Sequence, residues 1–519
     1  MGRLTCLQTL EFFNVGQERG RGIEELGTLK YLKGSLRIRN LGLVKGKDAA
    51  KQAKLFEKPD LSYLAFEWES GDRESDNREE DVLEGLQPHP NLQRLQIRYF
   101  MGNKFPQWLI NLSKLEALWI EDCKRCSELP SLGQLPSLKR LSLTKLDNIR
   151  SIGDEFYGIT ANEEEGRSRG SGSSTRRRKF FPALEILWVI DMGNLVEWKG
   201  VDQVRSTTGE AEADVFPMLM DLRISGCPQL TALPCSSDIP MLMDLRISDC
   251  PQLTALPCSG KSLHVENCRN LTSIKMGYGA ASVEELRIRN CNNLRELPDL
   301  DLFGSSLRRL TIKRCPRLIS LGVNGQKCPL LRCLEELSID NCEGLTTISD
   351  KMFESCRSLR SLSVWCCPNL VSFSLNLQET PSLEKIFLFK CPKLIPHSLK
   401  GFAFATSLRT LTINSPFSSD DSSVDDFDWS GLRSVSTLRE LRLQGLSHTE
   451  SLPHQLQYLT TLTSLSLENF GGIRVLPDWI GNLVSLETLE LRDCDKLQSL
   501  PPEAAMRRLT KLTGVRVYR

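Results

Sequence analysis

Residues 217–236 read PMLMDLRISGCPQLTALPCS, and residues 240–259 read PMLMDLRISDCPQLTALPCS. The copies differ only at Gly226 against Asp249, so the tandem duplication sets the repeating unit before any propensity is weighed. Within one copy Leu219, Leu222, Ile224, Cys227 and Leu230 follow the template L-x-x-L-x-L-x-x-C-x-x-L. It recurs at Leu115-Leu118-Ile120-Cys123, Val283-Leu286-Ile288-Cys291, Leu307-Leu310-Ile312-Cys315 and Leu334-Leu337-Ile339-Cys342. Further copies run through Cys367, Cys391 and Cys494, and weaker ones include Leu92-Leu95-Ile97 and Leu509-Leu512-Val515-Val517.

In L-x-L the two apolar side chains share one face of a strand. Each repeat thus presents an apolar row with nothing local to cover it, and the next repeat covers it by stacking. Leu-Pro pairs such as Leu129-Pro130, Leu233-Pro234 and Leu500-Pro501 suit an extended or tight-turn back, because proline has no N–H and resists helix. The reading is an α/β repeat solenoid of about 20 repeats. It is a leucine-rich-repeat horseshoe, with a parallel sheet on its concave face and a mostly irregular or short-helical convex side.

The register accounts for the cysteines. Ten of 18 (Cys123, Cys227, Cys250, Cys268, Cys291, Cys315, Cys342, Cys367, Cys391 and Cys494) share one template position that points inward as the strand turns. There a thiol is a small buried hydrophobe and weak donor rather than half of a disulfide framework. Cys123-Lys-Arg-Cys126 is a lone C-x-x-C without a second ligand pair, so neither zinc nor any other cofactor is expected.

Charge is balanced, 66 Lys+Arg against 65 Asp+Glu, which gives no general reason to expect nucleic acid or an anionic membrane as partner. No apolar run reaches the length of a membrane span, and the N-terminus lacks the apolar core of a signal peptide. Met1-Gly2 invites N-myristoylation, but Cys6 stands where Ser or Thr is wanted. A reducing, cytoplasmic setting follows, with the nucleus open to it; the sequons at Asn111 and Asn270 are then chance.

Composition divides the chain into N-terminal repeats 1–158, a disordered charged loop 159–180, central repeats 181–414 with an insertion near 200–214, an acidic loop 415–434 and C-terminal repeats 435–519. The first loop carries Glu163-Glu164-Glu165 and Arg176-Arg177-Arg178-Lys179; residues 415–430 of the acidic one hold Asp420, Asp421, Asp425, Asp426 and Asp428 without the glycine of a calcium loop. Leu4, Leu7 and Leu10 read as already in repeat register, and the chain stops just after a strand at Val515 and Val517. Uncapped ends predict a fragment or truncated product of a longer protein.

Several stretches are more specific than a generic repeat. LTCLQTLEFFNVGQERGRGIEELGTLKYLKGSLRIRNL (4–41), NKFPQWLINLSKLEALWIEDCKRCSELPSLGQLPSLKRLSL (103–143) and IGDEFYG (152–158) resemble the repeat region of plant coiled-coil nucleotide-binding leucine-rich-repeat disease-resistance proteins. The C-P-x-L turns at Cys227-Pro228, Cys315-Pro316 and Cys391-Pro392 are similar to the same group. The resemblance implies an intracellular immune receptor whose repeats bind a pathogen effector or a guarded host protein. It also implies that they restrain the adjoining nucleotide-binding domain, in cis in a full-length receptor. That switch is not carried here: Gly42-Leu-Val-Lys-Gly46-Lys47-Asp48 has the wrong spacing for a phosphate loop, and Asp where a hydroxyl is wanted.

Five histidines (His89, His264, His397, His448 and His454) offer no nucleophile constellation, so no enzyme is expected. His264 takes an outward strand position and the others read as coil. Outward strand positions tile the concave face, so their chemistry indicates binding. Trp119 and Trp188 share a central column with Ser142 between them; Trp365 and Phe389 share the third column on adjacent strands, beside Phe387. Arg223 and Arg246, then Arg287, Arg289, Arg309 and Lys313, make a basic stretch that Asp221, Asp244 and Glu285 partly offset. Aromatic and Arg side chains dominate binding hot spots, so these positions are the expected protein contacts, against covered rings and solvated cross-strand pairs as the alternative. A substrate adaptor for ubiquitin ligation is the competing function and would need an F-box-like segment, which is not visible; an extracellular ectodomain would need a signal peptide and disulfide caps.

Overall fold

A computed structural model describes residues 2–71, 78–159, 178–199, 213–234, 239–254, 256–258, 260–276, 282–297, 303, 306–321, 331–349, 352–354, 356–371, 373–394, 399–414 and 429–518. Most of the three expected interruptions lies outside these residues. At their margins Arg178–Phe180 pairs in parallel with Ala213–Val215, and Trp429–Leu432 is a single helical turn.

The chain forms two compact units, Met1–Leu271 with Lys275–Gly279, and Thr272–Ile274 with Ala280–Arg519. Among the described residues each unit has ten ladder strands. In the first they are Phe12–Asn14, Gly34–Arg39, Leu61–Glu67, Arg94–Arg98, Ala117–Glu121, Arg140–Thr144, Ile186–Ile190, Asp221–Ser225, Asp244–Ser248 and Ser262–Glu266. Each pairs in parallel with the next. In the second they run from Glu285–Arg289 and Arg309–Lys313 through Glu336–Asp340, Ser361–Trp365, Lys385–Phe389 and Thr410–Asn414 to Glu440–Gln444, Ser464–Glu468, Thr488–Arg492 and Gly514–Tyr518. These too are parallel in chain order. The leucine-rich-repeat solenoid read from the sequence is the observed architecture.

Register explains the core. Leu118, Leu141, Leu187, Leu222, Leu245 and Leu263 stand opposite one another on successive strands, and all are at most 3% exposed. One strand alone buries nothing; each leucine is covered by its counterpart one rung away. The back carries short 3₁₀ turns, such as Gln107–Asn111 and Asp478–Asn482, and two-residue strand pairs, such as Ser320–Leu321 with Thr347–Ile348. His454 opens one of these 3₁₀ turns, His454–Tyr458, rather than lying in coil.

The residue after most ladder strands takes a left-handed conformation: φ is 56° at Asp122, 53° at Asp191, 56° at Asn267 and 54° at Asn341. The chain leaves the strand there to aim the template cysteine inward, and Asn, Asp or Gly meets that geometry at least strain. Gly226 and Asp249, the one difference between the tandem copies, are this residue, with φ of 64° and 54°. Duplication left its single mismatch at a left-handed position, a conformation that Gly and Asp both adopt.

The cysteines behave as read. Nine of the ten template thiols are buried and unpaired with one another as disulfides, and Cys494 is half-buried. Each donates weakly to the carbonyl two residues earlier, as Cys250 does to Ser248 O at 3.2 Å and Cys315 to Lys313 O at 3.5 Å. Burial pushes the Cys268, Cys315 and Cys342 thiols up to about 12. Cys126 donates to Glu128 O at 3.0 Å.

One expectation at the start of the array is corrected. Leu4 is 58% exposed, and Leu7 and Leu10 are only half-buried. Phe13, 4% exposed, fills the inward slot opposite Ile38, which turns Phe12 outward. Period-two alternation admits one of two neighbouring phenylalanines to the core.

Candidate recognition surfaces

Outward positions of the first unit form a column that the ladder register defines residue by residue. Trp119 stands opposite Ser142, Ser142 opposite Trp188, Trp188 opposite Arg223, Arg223 opposite Arg246 and Arg246 opposite His264. Both indoles are partly exposed, and the small Ser142 between them is buried. The Arg223 guanidinium lies 4.9 Å from the Trp188 ring centroid, a cation over an aromatic face. Arg246 turns instead to Asp244 on its own strand, at 2.7 Å. Burial holds the Asp221 carboxyl above its usual range, although the nearby Arg223 charge opposes the shift.

Sequence reading missed a second feature of this unit. Glu67 receives Arg39 at 3.1 Å, Arg37 at 3.3 Å and Arg98 at 3.8 Å, from two flanking strands. Arg98 also meets Glu121 at 2.6 Å, and Gln96 bridges Tyr63 to the same carboxylate. Charge alternation along the strands was the available signal, but which cations share one carboxylate depends on rung register and rotamer.

In the second unit the basic stretch is largely neutralised. Glu285 is 8% exposed and accepts from both Arg287 and Arg309, the latter at 3.1 Å. Burial alone would raise its carboxyl; the two guanidinium hydrogen bonds outweigh this and hold it below the usual carboxylate range. Lys313 pairs with Asp340 at 3.8 Å. Arg289 is outward on the strand Glu285–Arg289, and its Nε is buried without a hydrogen-bond partner. Arg287, along its own strand, and Arg309, across from the next, are thus ion-paired to one carboxylate rather than a free positive field, and because both guanidiniums stay about two-fifths exposed the pairs contribute little stability.

The aromatic group is sharper. Trp365 is 45% exposed and meets Phe389 edge to face, with ring centroids 5.6 Å apart and planes at 74°. Phe387 is partly exposed between Ser363 and Thr412. Phe389, expected as a contact surface, is only 4% exposed. Trp365 covers one side, and Arg442 reaches past Thr412 to place its guanidinium 4.9 Å from the ring centroid. Phe389 is thus the base on which Trp365 rests. Beside it an open cleft of about 480 Å³ lies along the turns after the strands, bordered by Cys366, Lys390, Pro392, Gln444 and Leu446.

Among the described residues no group of three or more His, Cys, Asp and Glu side chains is placed to hold a metal, and no helix is long and apolar enough to cross a membrane.

The R13L1/DRL21 leucine-rich-repeat family matches residues 23–146 and 447–517. The disease resistance protein RGA2 of Solanum bulbocastanum is 37% identical over 233 residues, 44% of this chain and 22% of its own length. The disease resistance RPP13-like protein 1 of Arabidopsis thaliana is 34% identical over 229 residues, 42% of this chain and 20% of its own. The chain spans about a fifth of the length of these curated relatives. A solved leucine-rich-repeat protein of Leptospira interrogans aligns over 82% of this chain and 91% of its own, with 16% identity and a TM-score of 0.42. The chain is a leucine-rich-repeat protein, similar over parts of its length to plant disease resistance proteins.

Proposed function

We propose that the chain is the protein-recognition module of an intracellular plant immune receptor, binding a pathogen effector or a guarded host protein in a defence response. In the full-length receptor the same repeats restrain the adjoining nucleotide-binding domain. The module works in the cytoplasm or nucleus, needs no cofactor and performs no catalysis of its own. The observation that carries the reading is Trp365, exposed yet held edge to face on buried Phe389 beside an open cleft. An aromatic ring already fixed in place buries area on binding at little further entropic cost. Trp119, Trp188 and Arg223 offer the first unit's counterpart, with Arg246, Arg287, Arg289 and Lys313 as flanking polar contacts.

The test replaces Trp365 and Phe387 by alanine within a full-length receptor carrying these repeats, co-expressed with effectors that trigger it. Recognition is lost while protein level and thermal midpoint are kept. Recognition at wild-type strength in that variant overturns the assignment.

A further inference from the structure

The tandem copies carry a second pattern outside the strand faces. Met218 and Met220 flank Leu219, and Met241 and Met243 flank Leu242. The leucines are buried, while the four methionines are 47%, 41%, 53% and 43% exposed. Met243 N donates to Met220 O at 2.9 Å, which puts these two residues on neighbouring rungs, about 4.8 Å apart. In most other repeats these two template positions are polar, as at Lys114 and Glu116, Ser137 and Lys139, and Ser382 and Glu384. Two adjacent repeats of the first unit therefore replace a polar flank with four partly exposed methionines. Of the other methionines whose burial is described, Met192 and Met352 are fully buried, Met101 is 8% exposed and Met506 is partly exposed.

We propose that Met218, Met220, Met241 and Met243 form a peroxide-responsive modification site, a thioether patch that oxidation turns into a patch of sulfoxides while the repeat core stays intact. Each thioether sulfur attacks one oxygen of hydrogen peroxide. An S–O bond forms, the O–O bond breaks, and the departing hydroxide takes up the remaining proton as water. Sulfur loses two electrons and peroxide gains them. The sulfoxide is polar and chiral, and methionine sulfoxide reductases return it to the thioether. The patch lies outside the two inward columns, so four added oxygens change surface polarity and leave the leucine rows packed. The template thiols do not compete: they are buried, donate to backbone carbonyls, and are held as thiols by burial. A thiol reacts as its thiolate, which acidity suppresses, whereas a thioether has no proton to lose.

The test exposes the intact protein to hydrogen peroxide at pH 5 and follows each methionine by peptide mass spectrometry, with thermal midpoint and retention on a hydrophobic-interaction column read alongside. The four patch residues gain one oxygen at least about tenfold faster than Met192 and Met352, the midpoint holds, and retention falls. The variant Met218→Leu, Met220→Leu, Met241→Leu and Met243→Leu keeps its retention under the same treatment. Oxidation of Met192 or Met352 at a comparable rate, a midpoint that falls with patch oxidation, or an equal retention loss in the leucine variant overturns the proposal.

Discussion

The Arg442 guanidinium stands 4.9 Å from the centroid of the Phe389 ring, although a full strand, Thr410–Asn414, lies between the two. The small Thr412 on that strand leaves the path open. This seals Phe389 from above while Trp365 closes its edge, and it separates two residues that look alike in sequence.

Phe389→Ala is therefore expected to cost about 3–4 kcal/mol, the usual loss for a buried phenylalanine. Trp365→Ala, removing a half-exposed ring, costs under about 1 kcal/mol. Urea unfolding of the two single variants checks the ranking, which fails if Trp365→Ala is the more damaging.

The tandem mismatch is not interchangeable. A Cβ on Gly226 would come within 2.2 Å of the Asp191 carboxylate and 3.2 Å of its Cα. Gly226→Asp sets two carboxylates together and destabilises by at least about 1 kcal/mol. Asp249→Gly removes only a side chain that accepts from Asn267 at 2.9 Å, at a φ that suits glycine, and stays within about 0.5 kcal/mol of the parent. Thermal midpoints of the two variants decide this; equal losses would contradict it.

Native and unfolded protein should differ sharply toward an alkylating reagent. With Cys315 pushed up to about 12, roughly one thiol in ten thousand is ionised at pH 8, and the group is buried besides. Mass mapping after iodoacetamide should find the nine buried template cysteines unmodified until denaturant is added. Prompt native labelling at Cys268, Cys315 or Cys342 would refute the packing.

Lys58 carries a pH signature. It is 1% exposed, with Nζ donating to Leu29 O at 2.8 Å, and burial lowers its pKa to about 8 against the attraction of Glu57. An unfolded lysine titrates near about 10.4. Between these values the unfolded chain binds more protons at this site, so its contribution to stability rises with pH, by at most about 1.4 kcal/mol per unit. The contribution is lost as pH falls through 8. Other groups titrate in the same window, so the readout is the urea midpoint of the parent minus that of Lys58→Met. The difference should shift in favour of the parent from pH 7.5 to 9.5; parallel profiles would refute the assignment.

The repeat, its inward leucine columns and the burial of the template cysteines were legible in the amino-acid order, because each depends on local alternation and a period that two near-identical copies expose. The column Trp119, Ser142, Trp188, Arg223 followed too, since once register is known, equal template positions become neighbours on parallel strands. What only the folded chain decided lies in side-chain reach. Whether Phe12 or Phe13 faces inward, whether Phe389 is surface or base, and whether Arg309 reaches the Glu285 that Arg287 also pairs with each depend on contacts across one or two rungs. Partners on other strands lie far apart in sequence, as Arg442 does from Phe389, and a rotamer several ångströms long chooses among partners that a template places at equal distance.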